Sequence, residues 1–284
     1  MQKVLVVRNI KAGRKVAIKY KKQVLDFLLS NNLKFKIIEV EELNSVDVSE
    51  YDTVIAMGGD GTVSKCAQLV INTDKVLGIL PCGTANLLAS NLGISTNIKN
   101  ALNILGKNIS KIDVVEVNWK QSILRVGFGF DSNIICNTPQ SIKNKFGYFS
   151  YLIAGILYSF RLKNKKYKFS IDNQFFEVDA SCFIVSNAAN MYKNIFEVAA
   201  NSSAQDGLFD IFILKTTNPF VLFFELVKIF LGIKKNNFHT LYIQTSNLII
   251  YNDWLNSHID GEKHNFNCDI HFKIIEKSVN IYVK

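Results

Sequence analysis

The chain has 284 residues, enough for two domains that each bury a core of their own. With 48% hydrophobic and 20% charged residues it is a folded globular protein, which excludes an intrinsically disordered one. A net charge of +9 points to an anionic partner: a nucleotide, a nucleic acid or an acidic membrane surface.

Lys3 to Val7 is a nearly continuous apolar run, the pattern of a parallel strand buried on both faces. Asn9 to Gly13 forms the loop after it. Arg14 to Ser30 then carries Val16, Tyr20, Val24, Phe27 and Leu28 at helical spacing. Phe35 to Val40 predicts a second strand and Thr53 to Met57 a third. The third breaks into Gly58, Gly59, Asp60 and Gly61, then restarts at Thr62 as a helix to Ile71. Val76 to Leu80 is another buried strand, and Pro81 to Asn86 opens a helix that ends near Leu92. This alternation predicts a three-layer α/β nucleotide-binding domain over residues 1–110, with ligands at the carboxyl ends of its strands.

From about residue 110 the pattern changes to short strand-like segments at hairpin spacing. Ile112–Val117 and Ile123–Phe130 begin the series; Ile270–Ile275 and Ser278–Val283 end it. Residues 111–284 are therefore expected to form an antiparallel β-sandwich, with helical inserts at Phe146–Phe160 and Pro219–Leu231. Whether the last strand returns to the first domain stays open. Five scattered cysteines form no CxxC pair, which predicts a reduced, intracellular setting without a zinc site. No signal peptide is expected, and the longest apolar runs, Tyr148–Phe160 and Pro219–Ile233, fall short of a membrane span.

Glycines between a strand and a helix let the backbone approach a bound group, while free N–H groups of the helix start point at any anion there. Gly58 to Thr62 has that make-up, and Thr62 can also cap the helix. It is not a P-loop, which needs GxxxxGK[ST], and GxGxxG fails at its last glycine. Gly83-Thr84 repeats the logic at the next strand end; Thr84 either binds a phosphate oxygen or caps the helix. Asp206-Gly207-Leu208 and Asp260-Gly261-Glu262 each read either as a plain turn or as chemistry. The first suits a hard cation that takes one carboxylate and two backbone carbonyls. The second suits proton abstraction by paired carboxylates. His258 and His264, beside that turn, are expected to be surface groups without a role.

The ordered set GGDGT, LPCGTAN, GFGFD, DGL and DGE resembles the diacylglycerol kinase and sphingosine kinase family, a branch of a superfamily that includes NAD kinases. The resemblance implies ATP contacts at Asn9, Gly58, Gly59, Asp60, Gly61, Thr62, Val63, Ser64, Gly83, Thr84 and Asn86. It implies Mg²⁺, with a cation held by the Asp206 side chain and the carbonyls of Ser203 and Leu208. It makes Asp260 the catalytic base and Glu262 its supporting partner. Three departures stand out: Ile10 replaces a proline, Leu87 replaces an aspartate of the metal network, and Lys193-Asn194 replaces glycines.

The expected activity is ATP-dependent transfer of the γ-phosphate to a hydroxyl of a membrane lipid, diacylglycerol-like or sphingoid. An NAD kinase-like enzyme and a non-catalytic lipid-binding protein on a kinase fold are the alternatives. From Ser132 to Ile171 there are seven basic residues and no acidic one, around the apolar run Tyr148–Phe160. That pattern suits peripheral contact with an anionic membrane from a cytoplasmic location; a buried helix beside a solvated basic loop suits it equally. No nucleic-acid motif is present, so no nucleic-acid partner is expected. A homodimer stays open.

Overall fold

A computed structural model of the chain describes residues 3–12, 16–137, 162–187, 203–230, 236–251 and 255–284. The helical insert expected at Phe146–Phe160, the basic residues Lys143, Lys145 and Arg161, Gly13 and Arg14, and Lys193-Asn194 lie outside them. The chain forms two compact units, Met1–Ile112 together with Lys277–Lys284, and Asp113–Glu276.

In the first unit β1 (Lys3–Arg8) is followed by α1 (Val16–Lys19) and α2 (Lys21–Ser30). The single helix expected to reach Ser30 is thus broken at Tyr20, whose φ of −97° and ψ of 4° leave the helical basin. β2 (Lys34–Glu39), β3 (Thr53–Gly58), α3 (Asp60–Gln68), β4 (Val76–Pro81), α4 (Leu87–Asn91) and α5 (Ile98–Leu102) complete the alternation. The strands lie in the order β2-β1-β3-β4 and every pairing is parallel. β3 and β4 are buried along their whole length, as an apolar strand covered on both faces must be. Near the chain's end, Asn280 and Ile281 pair parallel with Val76 and Leu77 of β4. Tyr282 adds a buried hydroxyl contact of 3.3 Å to Thr53.

The second unit takes over within β5 (Asn108–Val117), and β6 (Lys120–Ser122), β7 (Arg125–Gly129) and α6 (Phe130–Asn137) follow. The strand expected over Ile123–Phe130 is corrected here. It starts at Arg125 and stops at Gly129, whose φ of +67° suits glycine, so Phe130 opens a helix with Asp131 in its first turn. The remaining elements are β8 (Lys165–Ile171), β9 (Gln174–Ala180), β10 (Cys182–Ser186), β11 (Phe209–Leu214), α7 (Pro219–Phe230), β12 (Thr240–Thr245) and β13 (Asn247–Tyr251). After them come β14 (Leu255–Ile259), β15 (Glu262–Phe266) and β16 (Ile270–Val283). The two strands expected at the C-terminus are one continuous β16. A φ of +49° at Lys277 marks the point where it leaves the second unit for the first.

Two sheets build this unit. One runs β12-β11-β10-β7-β14-β15, antiparallel throughout; the other joins the first half of β16 to β13, β8 and β9. Their inner faces share one core, in which Phe128 and Phe183 of the first sheet meet Phe272, Tyr167 and Phe169 of the second. The result is a β-sandwich whose core is closed by edge-to-face aromatic pairs. Among the described residues no helix is long and apolar enough to cross a membrane.

Candidate active site

The two glycine loops of the first unit form one structure. α3 begins at Asp60, two residues before the expected start, because Gly59 is its N-cap and accepts the N–H groups of Thr62 and Val63. Thr62 therefore does not cap the helix. Its hydroxyl accepts a hydrogen bond of 3.2 Å from Asn9 Nδ2, which ties the loop after β1 to α3. Cys82 N–H donates to the Gly58 carbonyl at 2.8 Å. A Cβ on Gly83 would stand 2.4 Å from the Gly59 Cα, so the loops touch backbone to backbone and a side chain would force them apart.

Side chains then lock this contact. The Asp60 carboxylate accepts Leu87 N–H at 2.6 Å, joining the first loop to the start of α4. Asn86, at a φ of +49°, accepts Gly83 N–H at 2.8 Å and donates to the Gly83 carbonyl at 3.0 Å. It is also the N-cap residue of α4, so Thr84, which is exposed, does not cap that helix. Asp60 thus bonds across the two loops and Asn86 within its own, and Val63 and Ser64 are buried within α3. The N–H groups of Gly59, Gly61, Thr84 and Ala85 donate to no acceptor among the described residues, which suits an anion's oxygens. Cys66 and Cys82 flank the loops, but burial pushes both thiols up to about 12 and neither is a nucleophile at neutral pH.

In the second unit Asp260 and Gly261 are the two central residues of the β14–β15 hairpin, with φ of +49° and +91°. Two successive left-handed residues make the tight turn for which Asp-Gly is a preferred sequence. The Asp260 carboxylate points back at the β6–β7 connection. Oδ1 accepts from the Ser122 hydroxyl and from the N–H groups of Leu124 and Arg125 at 3.1 and 3.0 Å; Oδ2 accepts Ile123 N–H at 3.0 Å. Asp260 N–H in turn donates to the Arg125 carbonyl at 2.9 Å. The carboxylate is therefore fixed in place by the protein, while Glu262 is exposed.

His258, expected at the surface, is almost fully buried. Its Nε2 lies 2.6 Å from Asp131 Oδ2 and its Nδ1 accepts Gly261 N–H at 3.2 Å. Arg125 Nη2 is 3.2 Å from the other oxygen of Asp131. Burial by itself would push the Asp131 carboxyl up. The Arg125 guanidinium and His258 outweigh it and hold the carboxyl below the usual carboxylate range. Sequence reasoning missed this group because a lone histidine carries no signal. The nearest clue was Gly127: a Cβ there would lie 2.1 Å from Asp131 Oδ2 and 2.5 Å from His258 Nε2.

The Asp206 loop is closed by its own carboxylate, which accepts N–H groups from Ser203 at 3.2 Å and Leu208 at 3.0 Å. Asp113, buried and absent from the sequence expectations, accepts Gly207 N–H at 2.9 Å and donates its own N–H to the Ala204 carbonyl at 2.7 Å. Among the described residues no three His, Cys, Asp or Glu side chains cluster as metal ligands. The donor set still fits a hard cation of low protein ligation: one exposed carboxylate beside loop carbonyls, the rest of the shell left to water. Asp210, two residues into the strand, is buried and bonded to the Tyr242 hydroxyl. Burial first, then that bond, pushes the Tyr242 hydroxyl up.

Comparison with known proteins identifies the two parts of the chain. Residues 3–117 match the diacylglycerol kinase catalytic domain, and residues 125–281 match the YegS C-terminal NAD kinase beta sandwich-like domain. The chain is 27% identical to a diacylglycerol kinase of Bacillus subtilis over 75% of this chain and 72% of that protein. It is 32% identical to an uncharacterised protein of Synechocystis, a match over 64% of this chain but only 43% of the other, less than half its length. A crystal structure of a diacylglycerol kinase from Bacillus anthracis superposes with a TM-score of 0.73 at 19% identity, covering 100% of this chain and 97% of that one. With the second match spanning more than half of its residues, the chain belongs to the family that joins a diacylglycerol kinase catalytic domain to a YegS-type, NAD kinase-like β-sandwich.

Proposed function

We propose that the protein is a lipid kinase that moves the γ-phosphate of ATP to a hydroxyl of a membrane lipid. The observation that carries this reading is the backbone contact between Gly59 and Gly83, which turns the N–H groups of two adjoining loops into one anion cradle. The ATP phosphates lie on that cradle, held by Gly59, Gly61, Thr84 and Ala85, with the Thr84 hydroxyl as a further donor. Asn9, Asp60 and Asn86 act one step back, by keeping the loops in register. The Asp206 carboxylate and the carbonyls of Ser203 and Leu208 would hold Mg²⁺, which would supply positive charge to offset that of the phosphates.

Phosphoryl transfer asks the protein mainly for positioning and charge stabilisation. The lipid hydroxyl oxygen bonds to the γ-phosphorus as the bond from that phosphorus to the β,γ-bridging oxygen breaks. ADP departs, and the hydroxyl proton passes to Asp260. The Ser122 hydroxyl and three backbone N–H groups hold that carboxylate in one orientation, as a general base requires. Glu262 supports it from the same turn. Exposed Lys165 and Lys168 belong to the basic stretch that would face an anionic bilayer.

The test is incubation of the purified protein with Mg²⁺, γ-labelled ATP and either a total lipid extract or NAD. A labelled lipid with unlabelled NAD is expected, and its mobility names the substrate. Label on NAD alone overturns the reading.

A further inference from the structure

The residues around the Asp260 turn form a closed circuit. Starting from Gly261, its N–H donates to His258 Nδ1, and His258 Nε2 meets Asp131 Oδ2. Asp131 Oδ1 pairs with the Arg125 guanidinium. The backbone of Arg125 then returns to the turn twice: its N–H donates to Asp260 Oδ1, and its carbonyl accepts Asp260 N–H. Every link lies within β7, α6 and the β14–β15 hairpin.

Two other roles for this histidine fail on geometry. A general base has to be reached by substrate, but this side chain is 1% exposed. A packing residue would do as well with an apolar ring, yet this one sits beside an ionised carboxylate in a gap that exists only because residue 127 lacks a side chain. Polar groups buried at such expense are kept in place by partners they hold in turn. What His258 holds is the amide between the two left-handed residues of the turn.

We propose that Arg125, Asp131 and His258 are positioning residues for the Asp260 turn, fixing the direction of the carboxylate that takes the substrate proton. His258 accepts from the turn's backbone, Asp131 fixes the ring, and Arg125 connects the ring's anchor to the carboxylate itself. None of the three touches substrate. The catalytic consequence rests on the lipid-kinase reading; the structural circuit does not.

The test uses the full chain and two readouts. In His258→Gln the amide can still reach Asp131, but no atom replaces Nδ1. Amide exchange at Gly261 is expected to speed up by at least tenfold, with protection in β10 and β11 unchanged. Transfer of label from ATP to vesicles of phosphatidylglycerol and diacylglycerol is expected to lose about tenfold or more in kcat, with KM for ATP within twofold. His258→Asn, whose side chain can replace Nδ1, should restore most of the Gly261 protection. Asp131→Asn gives a second route should the histidine variants fail to fold, and should shift both readouts in the same direction. Unchanged Gly261 exchange in His258→Gln or Asp131→Asn overturns the circuit. Faster exchange with no kinase activity in the wild type keeps the circuit and removes the kinase reading.

Discussion

The glycine loops of the first unit and the Asp260 turn of the second solve the same problem by opposite means. Between the loops the fixing contact is backbone against backbone, Gly59 on Gly83, and side chains merely lock it. At the turn the backbone takes two left-handed residues, and a circuit of polar side chains holds it there. The first arrangement leaves N–H groups with no acceptor among the described residues, as a phosphate site needs. The second aims one carboxylate, as proton transfer needs.

The largest effect on this contrast is expected from Gly83→Ala. The new Cβ has nowhere to go but into the Gly59 backbone and Asn86 Oδ1, so the loops separate. Calorimetry should find ATP binding weakened by tenfold or more, and the folded state less stable by about 1–3 kcal/mol. Tyr242→Phe probes a side-chain lock in the second unit. It removes the hydroxyl that donates to the buried Asp210 carboxylate and should lower stability by about 1–3 kcal/mol while leaving ATP affinity unchanged. A smaller change separates the two designs by pH. The folded Asp131 carboxyl is held below its unfolded value, so its contribution to stability is present above about pH 4 and fades as pH falls through the folded value. Urea midpoints of wild type and Asp131→Asn should therefore converge on acidification, and a constant gap from pH 7 to pH 3 would contradict the assignment.

The same contrast explains what could be read from the sequence. Buried parallel strands announce themselves as apolar runs, and three glycines in four residues announce a close approach, so β3, β4 and the two loops were legible. GGDGT and GTAN stood out because a backbone contact needs particular residue types at adjacent positions. The turn's support was not legible, since Arg125, Asp131 and His258 are brought together only by the pairing of β7 with β14 and by the first turn of α6. Asp113 escaped notice for the same reason: its partner Gly207 lies 94 residues away. The β14–β15 hairpin was missed because Lys263, His264 and Asn265 are not strand-formers; the Asp-Gly turn imposes their pairing. The single strand β16 was divided in two because the left-handed Lys277 sits in a polar patch that looks like a turn.

One measurement bears most directly on the account: the rate at which labelled γ-phosphate reaches lipid in wild type and in Asp260→Asn, with ATP affinity measured on both. The account predicts a fall of about 10²–10⁴-fold in the rate, the usual contribution of a positioned base, with ATP bound equally well. An Asp260→Asn protein that labels lipid at the wild-type rate would show that the carboxylate is only a clasp for the β6–β7 connection and that the proton leaves by another group.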